Sequence, residues 1–325
     1  MNIVILWAAL SMINESCVCT DKNVGKKRHN YRLHIILKIP AIMIFLSFII
    51  ILNNGIRYYY HIKTYDGKVE YSDEMRNINM TDEEVEELYV LSEKTVKTNK
   101  RVIADIVYEN MFKAYTEGNI LKKQKQNNVL FRMCVDLFAK EAYEKCYEIY
   151  ESLMEGNKVF PVAADGSDNS GKKVYGYENS WGVDRSYGGD RKHEGTDIMS
   201  ASGIRGELPL ISICDGIVEK CGWLELGGYR VGIRSDKGAY MYYAHLAQYA
   251  DGIKEGKVVK AGEVLGTMGD TGYSKVQGTS GNFEVHLHFG MYINDDKSEI
   301  SYNPYNILRA LEKCVKKYIS IDKTL

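Results

Sequence analysis

Residues 284–290 read "EVHLHFG", and the spacing inside this segment decides the fold. His286 and His288 are two positions apart, and in an extended chain such residues point to the same face. Val285, Leu287 and Phe289 then turn to the other face. One side is apolar enough to close a core, and the other presents two imidazoles, half of a metal site. The period-2 pattern predicts a half-buried strand in an antiparallel sheet.

The sequence on either side agrees. From "GNKVFPV" at 156–162 onward, glycine becomes frequent and short apolar runs alternate with turn signals. "LPLISICDGIVEKCGW" (208–223), "YRVGIRSDKGAYMYYAHL" (229–246) and "KVVKAGEVLGTMGDTGY" (257–273) each read as strand, turn, strand, with DG, DKG or AGE at the bends. The prediction is a mainly antiparallel β domain over 159–316. It closes with "NPYNIL" and a short helix from Tyr305 to about Lys316, and 317–325 follows as a tail.

The chain has 325 residues and seven histidines. Four of them fall in this domain: His193 in "KHEGTDIM", His245 in "YYAHLAQY", and the pair already named. His193 and Asp197 are four apart, again an even spacing in extended chain. Catalytic zinc takes three nitrogen or oxygen ligands and keeps its fourth position for water. His193, Asp197 and one of His286 or His288 supply that count. Such a centre acidifies bound water and polarises a carbonyl. His245 and the remaining histidine of the pair are left for proton transfer or for stabilising an oxyanion.

"HEGTD", "YYAHL" and "VHLHFG", in this order, resemble the three motifs of the lysostaphin-type zinc endopeptidases of bacterial cell walls. "DGIVEKCGW", the hairpin ending in "YYAHL", and "VVKAGEVLGTMGDTGYS" resemble the intervening family segments, so the likeness covers roughly 160–310. It implies one Zn2+ per domain, with His193, Asp197 and His288 as ligands and His245 and His286 as the catalytic pair. It also implies a peptidoglycan peptide as substrate. One departure is the longer "KVQGTSGNFE" (275–284) before the histidine pair, which bears on the groove wall and so on substrate preference. "HEGTD" also resembles HExxH with the last ligand changed to Asp, which would make Glu194 a general base. That motif needs a helix, and Gly195 at its centre disfavours one.

Residues 33–52, "LHIILKIPAIMIFLSFIIIL", are about long enough to cross a bilayer core. Lys22, Lys26, Lys27, Arg28 and Arg32 precede them, which puts the N-terminus in the cytoplasm and the rest outside. The organisation expected is a cytoplasmic segment at 1–32, a single transmembrane helix at 33–53, an extracytoplasmic helical spacer at 54–158, and the peptidase domain facing the cell wall. "MNIVILWAALSMI" at the start lacks a basic leader and a cleavage site. It reads as a second hydrophobic segment or as an upstream extension of the reading frame.

In the spacer, Thr81 with Glu84 forms a capping box, and helical periodicity runs to Gly118. A second helical run, roughly 127–155, follows the polar "KKQKQN". The pair reads as a helical hairpin or a stalk, with a protein partner as an alternative role. The net charge of -1 argues against nucleic-acid binding. Seven cysteines without a CxxC pair fit neither a zinc finger nor a disulfide scaffold. The alternative to hydrolysis is a zinc-binding envelope scaffold, or an activator of another cell-wall hydrolase.

Overall fold

The computed structural model describes residues 42–53, 56, 69–92, 95–116, 129–163, 173–187, 189–295 and 298–322. They fall into two compact units, Met1–Ile56 and Arg57–Leu325. In the first unit, 42–53 are helical and expose large apolar side chains such as Ile44, Phe45 and Phe48. Among the described residues no helix is long and apolar enough to cross a membrane. The 1–32 segment and the first nine residues of the expected span, 33–41, lie outside the described residues.

The second unit begins with short helical turns. α1 (Asp73–Arg76) is capped by Ser72, and α2 (Asp82–Glu87) starts with the expected capping box. Thr81 Oγ1 accepts the Glu84 N–H at 3.2 Å, and the Glu84 carboxylate accepts the Thr81 N–H at 2.8 Å. The long helix expected from Thr81 to Gly118 is broken. β1 (Tyr89–Ser92) and β2 (Thr95–Thr98) form an antiparallel hairpin before α3 (Lys100–Thr116) begins. Tyr89, Val90, Thr95, Val96 and Thr98 favour strand over helix, and the buried Tyr89 hydroxyl donates to the Met154 carbonyl at 3.0 Å. Propensity and packing together override the helical pattern of the acidic residues ahead of them.

α4 (Val129–Phe138) and α5 (Lys140–Met154) follow with a break at Ala139. Val102, Ile103, Ile106 and Val107 of α3 are buried with Cys146, Tyr150 and Leu153 of α5. This helical layer is not a free stalk. Arg76 donates from Nε to the Ser301 carbonyl at 3.0 Å and from Nη2 to Ser301 Oγ at 2.7 Å. Asn306 donates to the Ile78 carbonyl at 3.0 Å, and the Tyr302 hydroxyl donates to the Glu70 carbonyl at 2.8 Å. α6 runs from Tyr305 to Asp322, longer than expected.

The rest of the unit is β structure. Its strands are β3 (Tyr175–Tyr177), β4 (Asp184–Arg185), β5 (Arg191–Lys192), β6 (Thr196–Ser200), β7 (Pro209–Ile211) and β8 (Gly216–Leu224). β9 (Gly228–Ser235), β10 (Tyr240–Tyr249), β11 (Val258–Val259), β12 (Val264–Met268), β13 (His286–Asp295) and β14 (Ser298–Tyr302) complete it. Ten of these strands form one sheet with the order β11-β8-β9-β10-β13-β6-β3. β14 pairs with β13, and β12 links β10 to β7. The pairings are antiparallel, as the alternation predicts. β4 and β5 form a separate hairpin.

The sheet has one dry face. Val231, Ile233, Met241, Tyr243, Leu287, Phe289 and Met291 point into the core with no measurable exposure. The opposite face of β6, β13, β10, β9 and β8 floors an open cleft. Cys146, Cys214 and Cys314 are buried thiols, and Cys214 and Cys221 are unbridged.

Candidate metal centre

β13 enters the sheet between β6 and β10, and its register sets the site. His288 pairs with Asp197 on β6 and with Ala244 on β10. His286 and His288 both face the cleft, while Leu287 is fully buried between them on the core face. The five residues expected from sequence, His193, Asp197, His245, His286 and His288, all line one cleft of about 980 Å3.

Three of them form a tight group. His193 Nε2 lies 2.8 Å from His288 Nδ1 and 3.0 Å from Asp197 Oδ1, and His288 Nδ1 lies 3.1 Å from the same oxygen. Tetrahedral zinc with bonds near 2.0–2.1 Å separates its ligand atoms by roughly 3.3 Å. The triangle fits such an ion. His193 Nδ1 sits 2.8 Å from the Ser180 carbonyl, and a carbonyl can only accept, so that nitrogen carries the proton. The Nε2 lone pair then points into the triangle. Deprotonated, His288 Nδ1 offers a third lone pair beside His193 Nε2 and Asp197 Oδ1. The donor set therefore suits a divalent metal, with a chain carbonyl orienting its first imidazole.

Asp197 divides its two oxygens. Oδ1 faces the imidazoles, and Oδ2 accepts from Arg185 Nη2 at 2.6 Å. Burial opposes its ionisation, but the hydrogen bonds and charges of His193 and His288 outweigh burial and hold the carboxyl well below the usual range. Gly195 is required here by close approach. A Cβ at that position would lie 2.6 Å from His288 Cε1 and 2.6 Å from the Phe289 carbonyl oxygen. Residues 193–195 are not helical, and β6 follows at once. The Glu194 side chain reaches toward Arg76 Nη2 at 3.8 Å, so the HExxH reading has no helix to stand on.

The other two histidines are held differently. His286 Nδ1 lies 2.7 Å from the Glu284 carbonyl, and His245 Nδ1 lies 2.7 Å from the Thr271 carbonyl. Each Nδ1 therefore carries a proton, and each Nε2 presents a lone pair. Their rings are 4.7 Å apart, centroid to centroid. Burial, followed by the neighbouring His286 and His288, pushes the His245 pKa well below its ordinary value, so the ring is neutral.

His245 reaches the cleft only through a backbone irregularity. Strict alternation after Tyr243, which is in the core, would return His245 to the core as well. Instead the β9–β10 register shifts between Tyr243 and Leu246, and His245 takes φ 66°. Leu246 becomes the next core residue, and the imidazole is aimed at the site. This bulge is a device for re-aiming one side chain. Gly228, at φ 62°, allows β9 to pass against the Thr271 carbonyl that holds His245, where any Cβ would clash.

Sequence reasoning missed several neighbours. Arg185 and Ser180 come from the loop and hairpin ahead of His193. Phe283, inside the long segment before the histidine pair, packs 4.7 Å from His245 and 5.2 Å from His286. Tyr273 stacks on Tyr187 at 4.4 Å and joins Phe283 at 4.8 Å. The only hint was the unusual length of "KVQGTSGNFE", which supplies Phe283, while Tyr273 and Tyr187 come from outside it.

Residues 191–300 match Peptidase family M23. An L-Ala--D-Glu endopeptidase of Bacillus subtilis is 41% identical over 171 residues, 53% of this chain and 49% of that protein. Lysostaphin of Staphylococcus simulans is 31% identical over 144 residues, 44% of this chain and 26% of its own. The chain thus spans about half, or less, of the length of these curated relatives. A solved structure from Ruminococcus gnavus, assigned as a glycyl-glycine endopeptidase, is 34% identical with a TM-score of 0.60. That match covers 75% of this chain and 92% of the other, so it includes much of the helical layer as well as the sheet. With the motifs, the register that brings them together and these likenesses in agreement, the chain belongs to peptidase family M23.

Proposed function

We propose that the protein is a membrane-anchored zinc metalloendopeptidase that hydrolyses peptide bonds in peptidoglycan stem peptides or cross-bridges. The observation that carries this reading is the convergence of three ligand atoms within 3.1 Å of one another beside two imidazoles tied to the backbone at Nδ1. His193 Nε2, Asp197 Oδ1 and His288 Nδ1 would hold the ion. When bound, zinc supplies Lewis acidity for a carbonyl and acidifies a water molecule.

The chain's own residues do the rest. Arg185 and Ser180 fix the orientation of Asp197 and His193. His286 and His245 are tied at Nδ1 and present Nε2 to the cleft. His286 takes a proton from the attacking water and passes it to the departing amine. His245, held neutral by its burial, presents Nε2 as an acceptor that orients the attacking water beside His286. Phe283 and Tyr273 cover both rings and lower the local dielectric, which strengthens each of these contacts.

The names of the relatives indicate two kinds of bond, an L-Ala–D-Glu bond and a glycyl-glycine bond. Placement outside the membrane is supported by the apolar run at 33–52 and its basic upstream flank. The purified chain should solubilise peptidoglycan and release new amino termini without new reducing sugars, and chelation should stop it. Reducing sugars without amino termini would mean a glycosidase. A scaffold or activator would keep its cellular role in His286→Ala, whereas a peptidase would not.

A further inference from the structure

The register that builds the metal centre continues across the cleft floor into a cationic end. Asp197, His288 and Ala244 stand side by side on β6, β13 and β10. On β9, Val231 pairs with Tyr243 and Tyr229 with Leu246, so Arg230 alone faces the bulged pair Ala244–His245. Arg230 in turn pairs with Gly222 on β8, and Lys220 pairs with Gly232. Arg230 and Lys220 are therefore diagonal neighbours on the cleft face. Gly222 leaves open space beside Arg230, and the Tyr240 ring lies over Gly232.

Arg230 lies two strands from His288, roughly 10 Å across the sheet. An extended peptide advances about 3.3–3.6 Å per residue. A charged group one or two residues from a carbonyl at the metal centre is thus within reach of the guanidinium. Arg230 Nη1 is buried with no hydrogen-bond partner among the described residues. Folded chains seldom leave a buried donor in this condition. No carboxylate among the described residues forms an ion pair with Arg230 or Lys220.

Two nearby acids lie against Arg234 instead. Glu219 holds Arg234 through two contacts, at 2.6 and 3.0 Å, and Glu299 lies 3.9 Å from the same guanidinium. Arg191 lines the same cleft as Arg230 and Lys220 and adds a third basic side chain. An arginine with an unsatisfied donor, a lysine beside it and no anion of its own matches a planar carboxylate.

We propose that Arg230, flanked by Lys220, is a carboxylate subsite that selects peptides with an acidic residue next to the scissile bond over neutral glycine bridges. This rests on the peptidase reading above and narrows its substrate class.

The test uses the zinc-loaded full chain and two probes: a soluble stem peptide containing L-Ala–D-Glu, and the same peptide with its free carboxyl converted to a primary amide. The wild type should prefer the carboxylate peptide at least tenfold in kcat/KM. Arg230→Gln should bring the ratio close to one, and Arg230→Lys should restore part of it. A wild-type ratio near one, or an Arg230→Gln variant that slows both peptides equally, overturns the subsite. Calorimetric binding of the same probes separates the two claims. A carboxylate preference in binding that Arg230→Gln removes, with neither peptide cut, keeps the subsite and sinks the peptidase reading. Equal or undetectable binding of both peptides, with neither cut, overturns the subsite.

Discussion

The ligand triad and the imidazole pair share one cleft but are built on opposite plans. His193, Asp197 and His288 lean on one another, with gaps of 2.8–3.1 Å between their donor atoms. His245 and His286 lean on the backbone, each through one carbonyl at Nδ1, and the nearest acid to the His286 Nε2 is Asp197 Oδ1, at 3.8 Å. The first plan needs a cation to be comfortable. The second is complete without one. Metal dependence of structure and metal dependence of chemistry should therefore separate.

The largest effect should come from His193→Ala or His288→Ala. Bound metal and hydrolysis should both disappear, and the melting temperature should no longer respond to chelator, as it does in the wild type. His286→Ala should lose ~10²–10⁴-fold in kcat while retaining one metal per chain and the wild-type chelator response. Loss of metal in that variant would erase the distinction between the two groups. Arg185→Gln should weaken metal affinity by ~10–100-fold, the usual effect of releasing a ligand's supporting partner. Metal titration by competition with a chromophoric chelator measures it, and an unchanged affinity would mean that Asp197 is oriented without its arginine. Gly195→Ala should act in the same direction, because its methyl would press on His288 and the Phe289 carbonyl. Glu194→Ala should retain most activity and cost about 0–1 kcal/mol at most through its contact with Arg76. Abolished hydrolysis there would revive Glu194 as a base.

Much of the site was legible because strands report their faces. The two-residue spacing of His286 and His288 placed both imidazoles opposite Leu287, and the sheet keeps that arrangement. The choice between them as ligand did not follow from spacing. It rested on family resemblance, and the 3.1 Å approach of His288, but not of His286, to Asp197 agrees with it. His245 was found by motif and not by pattern, since alternation alone would have buried it. Its bulge depends on Gly228 and Thr271, which are distant in sequence. Arg185, Tyr273 and Phe283 come from loops, where no periodicity tells which way a side chain points. The hairpin at 89–98 was hidden by the acidic run ahead of it, and the β-branched Val90, Thr95, Val96 and Thr98 together with the Tyr89 contact to Met154 explain the strand choice.

The seam formed by Arg76, Ser301, Asn306 and Tyr302 has a practical consequence. Starting the chain at residue 159 would remove Arg76 and the carbonyls of Glu70 and Ile78, stranding Asn306 and the Tyr302 hydroxyl and baring the inner side of α6. The β domain is thus not a cassette that can be lifted from its helical neighbours. A shortened version should begin before Val69, so that the helical turns carrying these partners stay with the sheet.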